Sequence, residues 1–123
     1  MKLRQKVGII GVGAMGSSIL EGLLNDKIVA ASQIWVYDKV ASKVSYLTRK
    51  WKVRRSGSIQ EMTAKVGILI LATKPQDLNE VGKDLKQVLN STHVVISILA
   101  GTPTAKIKKA IGVTPEIVRA MPN

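Results

Sequence analysis

Cysteine is absent from the 123-residue sequence, and so is phenylalanine. Without a thiol the chain cannot form a disulfide, bind a metal through cysteine or use a cysteine nucleophile. Tryptophan and tyrosine occur only twice each, so the predicted core is aliphatic, built from Val, Ile, Leu and Ala. A chain without disulfides fits a cytoplasmic location, which we expect here.

Long apolar runs are also missing. No stretch reaches the roughly 18 residues that a membrane-spanning helix requires, so we expect no contact with a membrane. The basic and then apolar start over residues 1–13 is faintly similar to a signal peptide. Glycines interrupt it and no small-residue cleavage site follows, so we predict a strand and a loop there instead.

Acidic residues are scarce: 8 Asp and Glu stand against 19 Lys and Arg, which gives a net charge of +11. A nucleic-acid surface is one interpretation of such a charge. The basic residues are scattered and no aromatic platform accompanies them, so nucleic-acid binding is not favoured, and part of the charge suits an anionic cofactor. The densest group could reach a phosphate but is interpreted as a solvated helix end; it comprises Arg49, Lys50, Lys52, Arg54 and Arg55.

Short β-branched runs alternate with longer helical ones along the chain. Strands are predicted over residues 6–10, 34–38, 52–55, 66–72, 94–98 and 116–120. Helices are predicted over 16–24, 41–50, 78–89 and from Pro103 to residue 111, with a further short helix that Ser58 caps together with Glu61. The alternation predicts a single α/β domain over 1–123, a Rossmann-type doubly wound three-layer sandwich with a mostly parallel sheet in the order 3-2-1-4-5-6.

A glycine-rich loop joins the first strand to the first helix. Gly11-Val12-Gly13-Ala14-Met15-Gly16 has the G-x-G-x-x-G pattern in the strand-to-helix context that confirms it. Gly11 permits the tight turn, Gly13 lets the backbone approach a pyrophosphate, and Gly16 lets the helix pack close to the strand. The helix start offers free N–H groups to the phosphates, so the loop predicts a dinucleotide cofactor.

The choice between NAD and NADP depends on two adjacent residues. Asp38 ends the second strand, where a carboxylate accepts hydrogen bonds from a ribose diol and repels a 2′-phosphate. Lys39 follows at once, with Ser42 and Lys43 nearby, and a basic residue at this place can hold a 2′-phosphate. The two features conflict, and both cofactors stay open at this point.

Three later segments resemble those of pyrroline-5-carboxylate reductases. Ala72-Thr73-Lys74-Pro75-Gln76 is similar to their A-V-K-P-Q segment, and residues 96–101 (ISILAG) are similar to their S-I-A-A-G segment. Residues 119–123 (RAMPN) resemble the R-x-M-P-N that begins their M-P-N-T-P motif. The order and gaps match as well, so the resemblance covers essentially the whole chain.

The resemblance implies a role for particular residues. Ile10 to Met15 would wrap the pyrophosphate, and Asp38 would face the adenosine ribose. It also implies that Ala72 and Lys74 line the dinucleotide path, with Ala100 and Gly101 nearer the nicotinamide and Asn123 near the reaction site. Together with the glycine loop and the residues after the second strand, the predicted cofactor-binding residues are Ile10, Gly11, Val12, Gly13, Ala14, Met15, Gly16, Asp38, Lys39, Ala72, Lys74, Ala100, Gly101 and Asn123. With the lysines, the family favours NADP slightly, and NAD remains the alternative.

The implied reaction is hydride transfer from NAD(P)H to a cyclic imine, 1-pyrroline-5-carboxylate, giving proline. In this family a helical domain follows M-P-N-T-P, forms the homo-oligomer and holds the substrate. We expect that domain to be missing here, so the chain would bind cofactor without turnover and would supply no catalytic residue.

The sequence departs from the family at three places. Gly67 replaces a usual Asp, and Ser58 and Ile59 lack a nearby Asn that contacts the adenosine side. Asp38 and Lys39 replace a polar residue followed by Arg, which keeps the choice of cofactor open.

Alternative functions also remain. Another two-domain dehydrogenase of the β-hydroxyacid type shares the G-x-G-x-M-G loop, although Lys74-Pro75-Gln76 argues against it. A dinucleotide-binding module without catalysis is a second alternative.

Several polar residues are set aside. His93 is interpreted as a loop residue and neither a base nor a metal ligand. Ser17 and Ser18 could contact phosphate or satisfy early N–H groups of the helix, and Met15 is expected to pack against the sheet.

Overall fold

The computed structural model describes residues 4–120 of the chain. Within that range the strands are β1 Val7–Ile10, β2 Ile34–Tyr37, β3 Arg54–Arg55, β4 Ile68–Leu71, β5 Val94–Ser97 and β6 Glu116–Arg119. The α-helices are α1 Ala14–Asn25, α2 Ala41–Trp51, α3 Ile59–Lys65, α4 Leu78–Val88 and α5 Thr104–Ile111. Short 3₁₀ turns occupy Ala31–Gln33 and Pro75–Asp77.

The strands form one sheet in the order β3-β2-β1-β4-β5-β6, and every pair of neighbours is parallel. β1 lies at the centre, where Val7 is level with Ile34 of β2 and with Ile68 of β4. The predicted fold and strand order are confirmed. The chain winds outward from β1 in both directions, so the loops after β1 and β4 diverge and leave a crevice between them.

Two apolar cores cover the two faces of the sheet. Alternation along β1 sends Val7 and Ile9 to the side of α1 and α2, whereas Ile10 joins the core beneath α3, α4 and α5. The predicted aliphatic core is confirmed in the main, although the ring of Trp35 and the side chain of Met62 are buried in it too. The result is three layers, helix on sheet on helix.

Most element boundaries lie within two residues of the prediction, and the differences have local causes. α1 begins at Ala14, ahead of the predicted residue 16, because the last part of the glycine loop is already helical. β3 shrinks to two residues because Lys52 adopts a left-handed φ of 60° at the end of α2, so the chain turns before it can extend. Pro103 precedes α5 as its N-cap and is not in its first turn.

The predicted cap of α3 is present. Ser58 Oγ accepts a hydrogen bond from the Glu61 N–H at 3.0 Å, and the Glu61 carboxylate accepts one from the Gly57 N–H at 3.2 Å. The first bond satisfies a donor that the helix start would otherwise leave open, and the second satisfies the N–H of the residue before the cap.

His93 was expected to be a loop residue, and it lies in the turn before β5 but is buried. Its Nδ1 accepts from the Asn90 N–H at 3.0 Å, so the hydrogen on Nε2 points to the Thr63 carbonyl, also at 3.0 Å. The ring thus joins this turn to α3 at the amino end of the sheet, away from the carboxyl edge where ligands bind.

No helix described between residues 4 and 120 is long and apolar enough to cross a membrane.

Two helices on one face come unusually close at Gly82. A Cβ at this position of α4 would lie 2.8 Å from the carbonyl carbon of Ala110 in α5, and closer still to its oxygen. Gly22 of α1 is the opposite case, since a Cβ there would meet nothing within 4 Å. The first glycine is required by packing and the second is not.

We expect opposite effects of alanine at these two glycines. Gly82→Ala should lower the free energy of unfolding by about 1–3 kcal/mol, because α4 and α5 must separate. Gly22→Ala should raise it by roughly 0.5–1 kcal/mol, since alanine reduces the freedom of the unfolded chain. Urea unfolding of both variants checks this, and an equal gain in both would contradict the close contact of the helices.

Candidate functional site

The candidate site lies at the carboxyl edge of the sheet, in the crevice between the loops that follow β1 and β4. The loop after β2 closes one end of the crevice, and the loop after β5 closes the other. In an open parallel sheet this is where ligands bind, because the strand order reverses here.

The glycine loop after β1 is held by contacts that tolerate no side chain at two positions. Gly11 has a φ of +94°, and a Cβ there would lie 2.7 Å from the carbonyl group of Ala72. A Cβ on Gly16 would collide with the carbonyl oxygen of Gly11. Both glycines are therefore explained by the protein's own packing.

Gly13 is different. Its φ of −71° is accessible to any residue, and a Cβ there would meet nothing within 4 Å. Neither conformation nor packing within the chain calls for glycine at this position. The open space beside Gly13 would let a ligand's pyrophosphate come close to the protein backbone.

The first turn of α1 faces the same space. Gly13 is its N-cap, makes no side-chain capping bond, and no acidic residue lies in that turn. The leading N–H groups of a helix have no partner within the helix and attract anions. The hydroxyl of Ser17 donates to the Val12 carbonyl at 3.0 Å, and a contact of Ser17 with phosphate stays a prediction.

Asp38 braces the glycine loop. Its Oδ2 accepts from the Val12 N–H at 2.9 Å, and its Oδ1 accepts from the Val40 N–H at 2.8 Å. The carboxylate thus ties the loop after β1 to the turn after β2. Each oxygen retains a lone pair, so a ribose hydroxyl could still donate to it.

Lys39 reaches across the crevice to the 3₁₀ turn after β4. Its Nζ lies 3.0 Å from Oδ1 of Asp77, and the lysine side chain is 60% exposed against 21% for the aspartate. The hydrogen bond to Asp77 raises the pKa of Lys39 above its ordinary value. The ion pair therefore spans the two walls of the site.

The site is a groove with two lobes. The outer lobe, beside β2 and α4, is lined by Ile10, Gly11, Gly13, Tyr37, Asp38, Lys39, Val40, Lys43, Ile59, Ala72, Thr73, Lys74, Asp77, Glu80, Val81 and Asp84. The inner lobe, toward β5, is lined by Gly13, Ala14, Met15, Ala72, Thr73, Lys74, Pro75, Ile98 and Ala100. Gly13 and residues 72–74 line both lobes, so they form the junction of one continuous groove.

Most of the sequence-predicted site residues line this groove, and three of those in the described part of the chain do not. Val12 is buried in the core and contributes its N–H to Asp38, while Gly16 is buried by packing. Gly101 adopts a left-handed φ of 62° in an exposed turn outside both lobes, and Asn123 lies outside the described residues.

One expected side-chain position is wrong. Met15 does not pack against the sheet: its side chain is 46% exposed and lines the inner lobe. The helix start carries it outward, because Ala14 and Met15 occupy the solvent side of the first turn of α1.

Some groove residues were missed in the sequence. Tyr37 and the acidic residues of α4 lie on elements whose orientation toward the groove the glycine motif does not reveal. Lys43, which the sequence placed near Lys39, does line the outer lobe. Thr73 lies at the junction, and its Oγ1 is buried without a hydrogen-bond partner among the described residues. Its place between Ala72 and Lys74 in the segment after β4 was the available clue.

The dense basic group of residues 49–55, at the end of α2 and in β3, lies outside both lobes. Lys50 Nζ stands 5.7 Å from the ring centre of Tyr46 and 5.2 Å from that of Trp51, and the Arg54 guanidinium stands 5.2 Å from that of Trp35. Arg54 also donates to the Ser32 carbonyl at 2.9 Å. Lys50 and Arg54 are therefore already engaged in contacts with other residues of the protein.

The chemical groups of the groove suit the parts of a dinucleotide. A helix start that attracts anions lies at the junction, a carboxylate lies in the outer lobe, and small or apolar residues line the inner lobe. Among residues 4–120, no cluster of three or more His, Asp or Glu side chains could hold a metal ion.

Comparisons with known proteins agree with this geometry. The chain is 36% identical over 121 residues to a pyrroline-5-carboxylate reductase of Escherichia coli strain K12, covering 98% of this chain and 45% of the relative. A solved pyrroline-5-carboxylate reductase from Coxiella burnetii superposes with a TM-score of 0.90 at 30% identity, over 98% of this chain and 45% of that one. The Plasmodium falciparum enzyme, solved with NADP bound, gives 0.86 at 26% identity, over 100% and 44%.

The chain therefore spans less than half the length of these relatives. The resemblance drawn from the three sequence segments is confirmed, and it is the amino-terminal part of the reductases that matches. A sequence profile also matches residues 6–101, most of the chain, so the chain belongs to the family described as NADP oxidoreductase, coenzyme F420-dependent.

Proposed function

We propose that this chain is the cofactor-binding half of a pyrroline-5-carboxylate reductase, which reduces 1-pyrroline-5-carboxylate to proline with NAD(P)H. The observation that carries the proposal is the groove whose two lobes meet at Gly13, the one loop glycine that the protein's own packing does not require. The solved relative with NADP bound and the description of the family support a nicotinamide dinucleotide.

The described residues would hold such a cofactor in parts. The start of α1 would bind the pyrophosphate, with Gly13 leaving room for it. Asp38 and the outer lobe would take the adenosine, and Ala100 with the inner lobe would take the nicotinamide. When bound, a reduced nicotinamide supplies the hydride that an imine carbon accepts, while the protein supplies position and surroundings.

The inner lobe would shield the bound nicotinamide from water. It is lined mainly by apolar side chains and backbone, and Lys74 is the one cation that lines it among residues 4–120. We assign no catalytic residue to the chain, and Asn123 is proposed only by resemblance as a residue near the reacting centre.

The rest of the enzyme is also a proposal. Residues 1–123 would form one NAD(P)-binding domain, and a following helical domain would hold the cyclic imine and form a homo-oligomer. Partial coverage of the relatives supports this arrangement. A cytoplasmic location is proposed with it.

The first prediction for this proposed function concerns Gly13. Gly13→Val should weaken the binding of NADPH and NADH at least about tenfold, because its side chain would fill the space needed by the pyrophosphate. The fold should be kept, since a Cβ there meets nothing in the protein. Calorimetric titration of the chain with each dinucleotide measures the loss.

Gly22→Val is the matched control, because Gly22 also faces open space but lies in α1 away from the groove. It should bind both dinucleotides as the unchanged chain does. If neither dinucleotide binds even at millimolar concentration, while an oligonucleotide binds saturably, the proposal is overturned and the basic surface is favoured as the functional one.

A second prediction concerns Asp38. Asp38→Asn leaves one acceptor oxygen and turns an amide NH₂ toward an N–H donor, so one of its two backbone bonds is lost. We expect the free energy of unfolding to fall by about 1–3 kcal/mol and both dinucleotides to bind more weakly.

Chemical denaturation and titration measure the two effects of this substitution. The control is Asp26→Asn, which removes the same charge from an exposed residue at the far end of α1 and should change stability by less than about 0.5 kcal/mol. Equal stability of the two variants would contradict the bracing role of Asp38.

A further inference from the structure

The outer lobe has walls of opposite charge. Lys39 and Lys43 come from the turn after β2 and the first turn of α2, which contains no acidic residue. Facing them across the lobe are the acidic residues of the 3₁₀ turn and α4, namely Asp77, Glu80 and Asp84. The Lys39–Asp77 ion pair at 3.0 Å is the contact that joins the two walls.

The carboxylate of Asp38 cannot adjust to a ligand. Both of its oxygens accept backbone N–H groups, at 2.9 Å from Val12 and 2.8 Å from Val40, so the side chain is held in place beside the position proposed for the ribose. A 2′-phosphate entering there needs a cation, and Lys39 is the neighbouring residue that could turn to it. In the structure, however, Lys39 is already paired with Asp77.

We propose that Asp77 governs the choice between NADPH and NADH, by competing with the 2′-phosphate of NADPH for Lys39. This inference rests on the proposed function, since it assigns the adenosine of a dinucleotide to the outer lobe. NADH has two ribose hydroxyls and no phosphate at this place, so it binds without disturbing the ion pair. NADPH must open it.

The cost to NADPH has two parts. Lys39 loses its bond to Asp77, and the released carboxylate, together with Glu80 and Asp84, then faces a phosphate that carries about −1.5 to −2 charges at neutral pH. Lys39 regains a stronger partner in the phosphate, but the freed Asp77 repels that same phosphate. The presence of Asp77 therefore lowers the affinity for NADPH relative to NADH.

The test compares dissociation constants for NADPH and NADH by calorimetry at low ionic strength, with the 123-residue chain and its Asp77→Asn variant. We expect Asp77→Asn to shift the ratio of the two constants toward NADPH by about three- to tenfold, because the ion pair is partly exposed to solvent, which weakens its charge interaction. Adenosine 2′,5′-bisphosphate and adenosine 5′-monophosphate should show the same shift, because the effect belongs to the adenosine end alone. High salt should reduce it.

Two further variants separate competition from general charge. Asp84→Asn removes the same charge from the same lobe without touching the ion pair, so it should shift the ratio much less. Lys39→Gln should lower the preference for NADPH, and in that background Asp77→Asn should have little further effect.

The outcomes that would overturn the competition differ from the outcome that would overturn the proposed function. An unchanged ratio in Asp77→Asn, an equal shift in Asp84→Asn, or a full effect of Asp77→Asn without Lys39 would overturn the competition while leaving the proposed function in place. If the unchanged chain binds neither dinucleotide, the proposed function fails and this inference falls with it.

Discussion

The close approach of the β1 exit to the β4 exit is the constraint on which the site depends. Gly11 lies against the Ala72 carbonyl, and Gly16 lies against Gly11, so no side chain fits at either contact. Because these two contacts pull the start of α1 down onto the sheet, its N–H groups face the crevice. The space beside Gly13 is what remains after the packing is complete, which is why one glycine loop both closes the fold and leaves a site open.

Asp38 extends that constraint to the neighbouring strand. Its carboxylate accepts N–H groups from the loops after β1 and β2, so the residue best placed to face a ribose also holds the glycine loop. Under the proposed function, a structural and a binding role would fall on one side chain, so a substitution that altered binding would also loosen the glycine loop. Lys39, an exposed charge at the rim, is paired instead with Asp77 on a different element.

The sequence predicted the fold and much of the groove because both depend on local patterns. Gly11, Gly13 and Asp38 belong to a motif with fixed spacing, and alternating runs define parallel strands. The Lys39–Asp77 pair joins residues 38 positions apart, and its formation depends on how α4 sits on the sheet, which no local pattern encodes. The expected burial of Met15 was wrong for a related reason. An apolar residue in a helix predicts burial, but the turn of α1 that carries Met15 faces the groove.

The two lobes differ in the chemistry they can support. Charged side chains of both signs line the outer lobe, whereas the inner lobe offers glycine, small and apolar side chains, one lysine and the hydroxyl of Thr73. Under the proposed function, charge recognition would be concentrated at the adenosine end, where it can select a cofactor, and the end proposed for the nicotinamide would offer few charged groups. Under the proposed function, an imine that gained hydride would also gain a proton at nitrogen. Since no catalytic residue is assigned to the chain and Thr73 Oγ1 is buried, that proton would come from solvent or from groups outside residues 4–120.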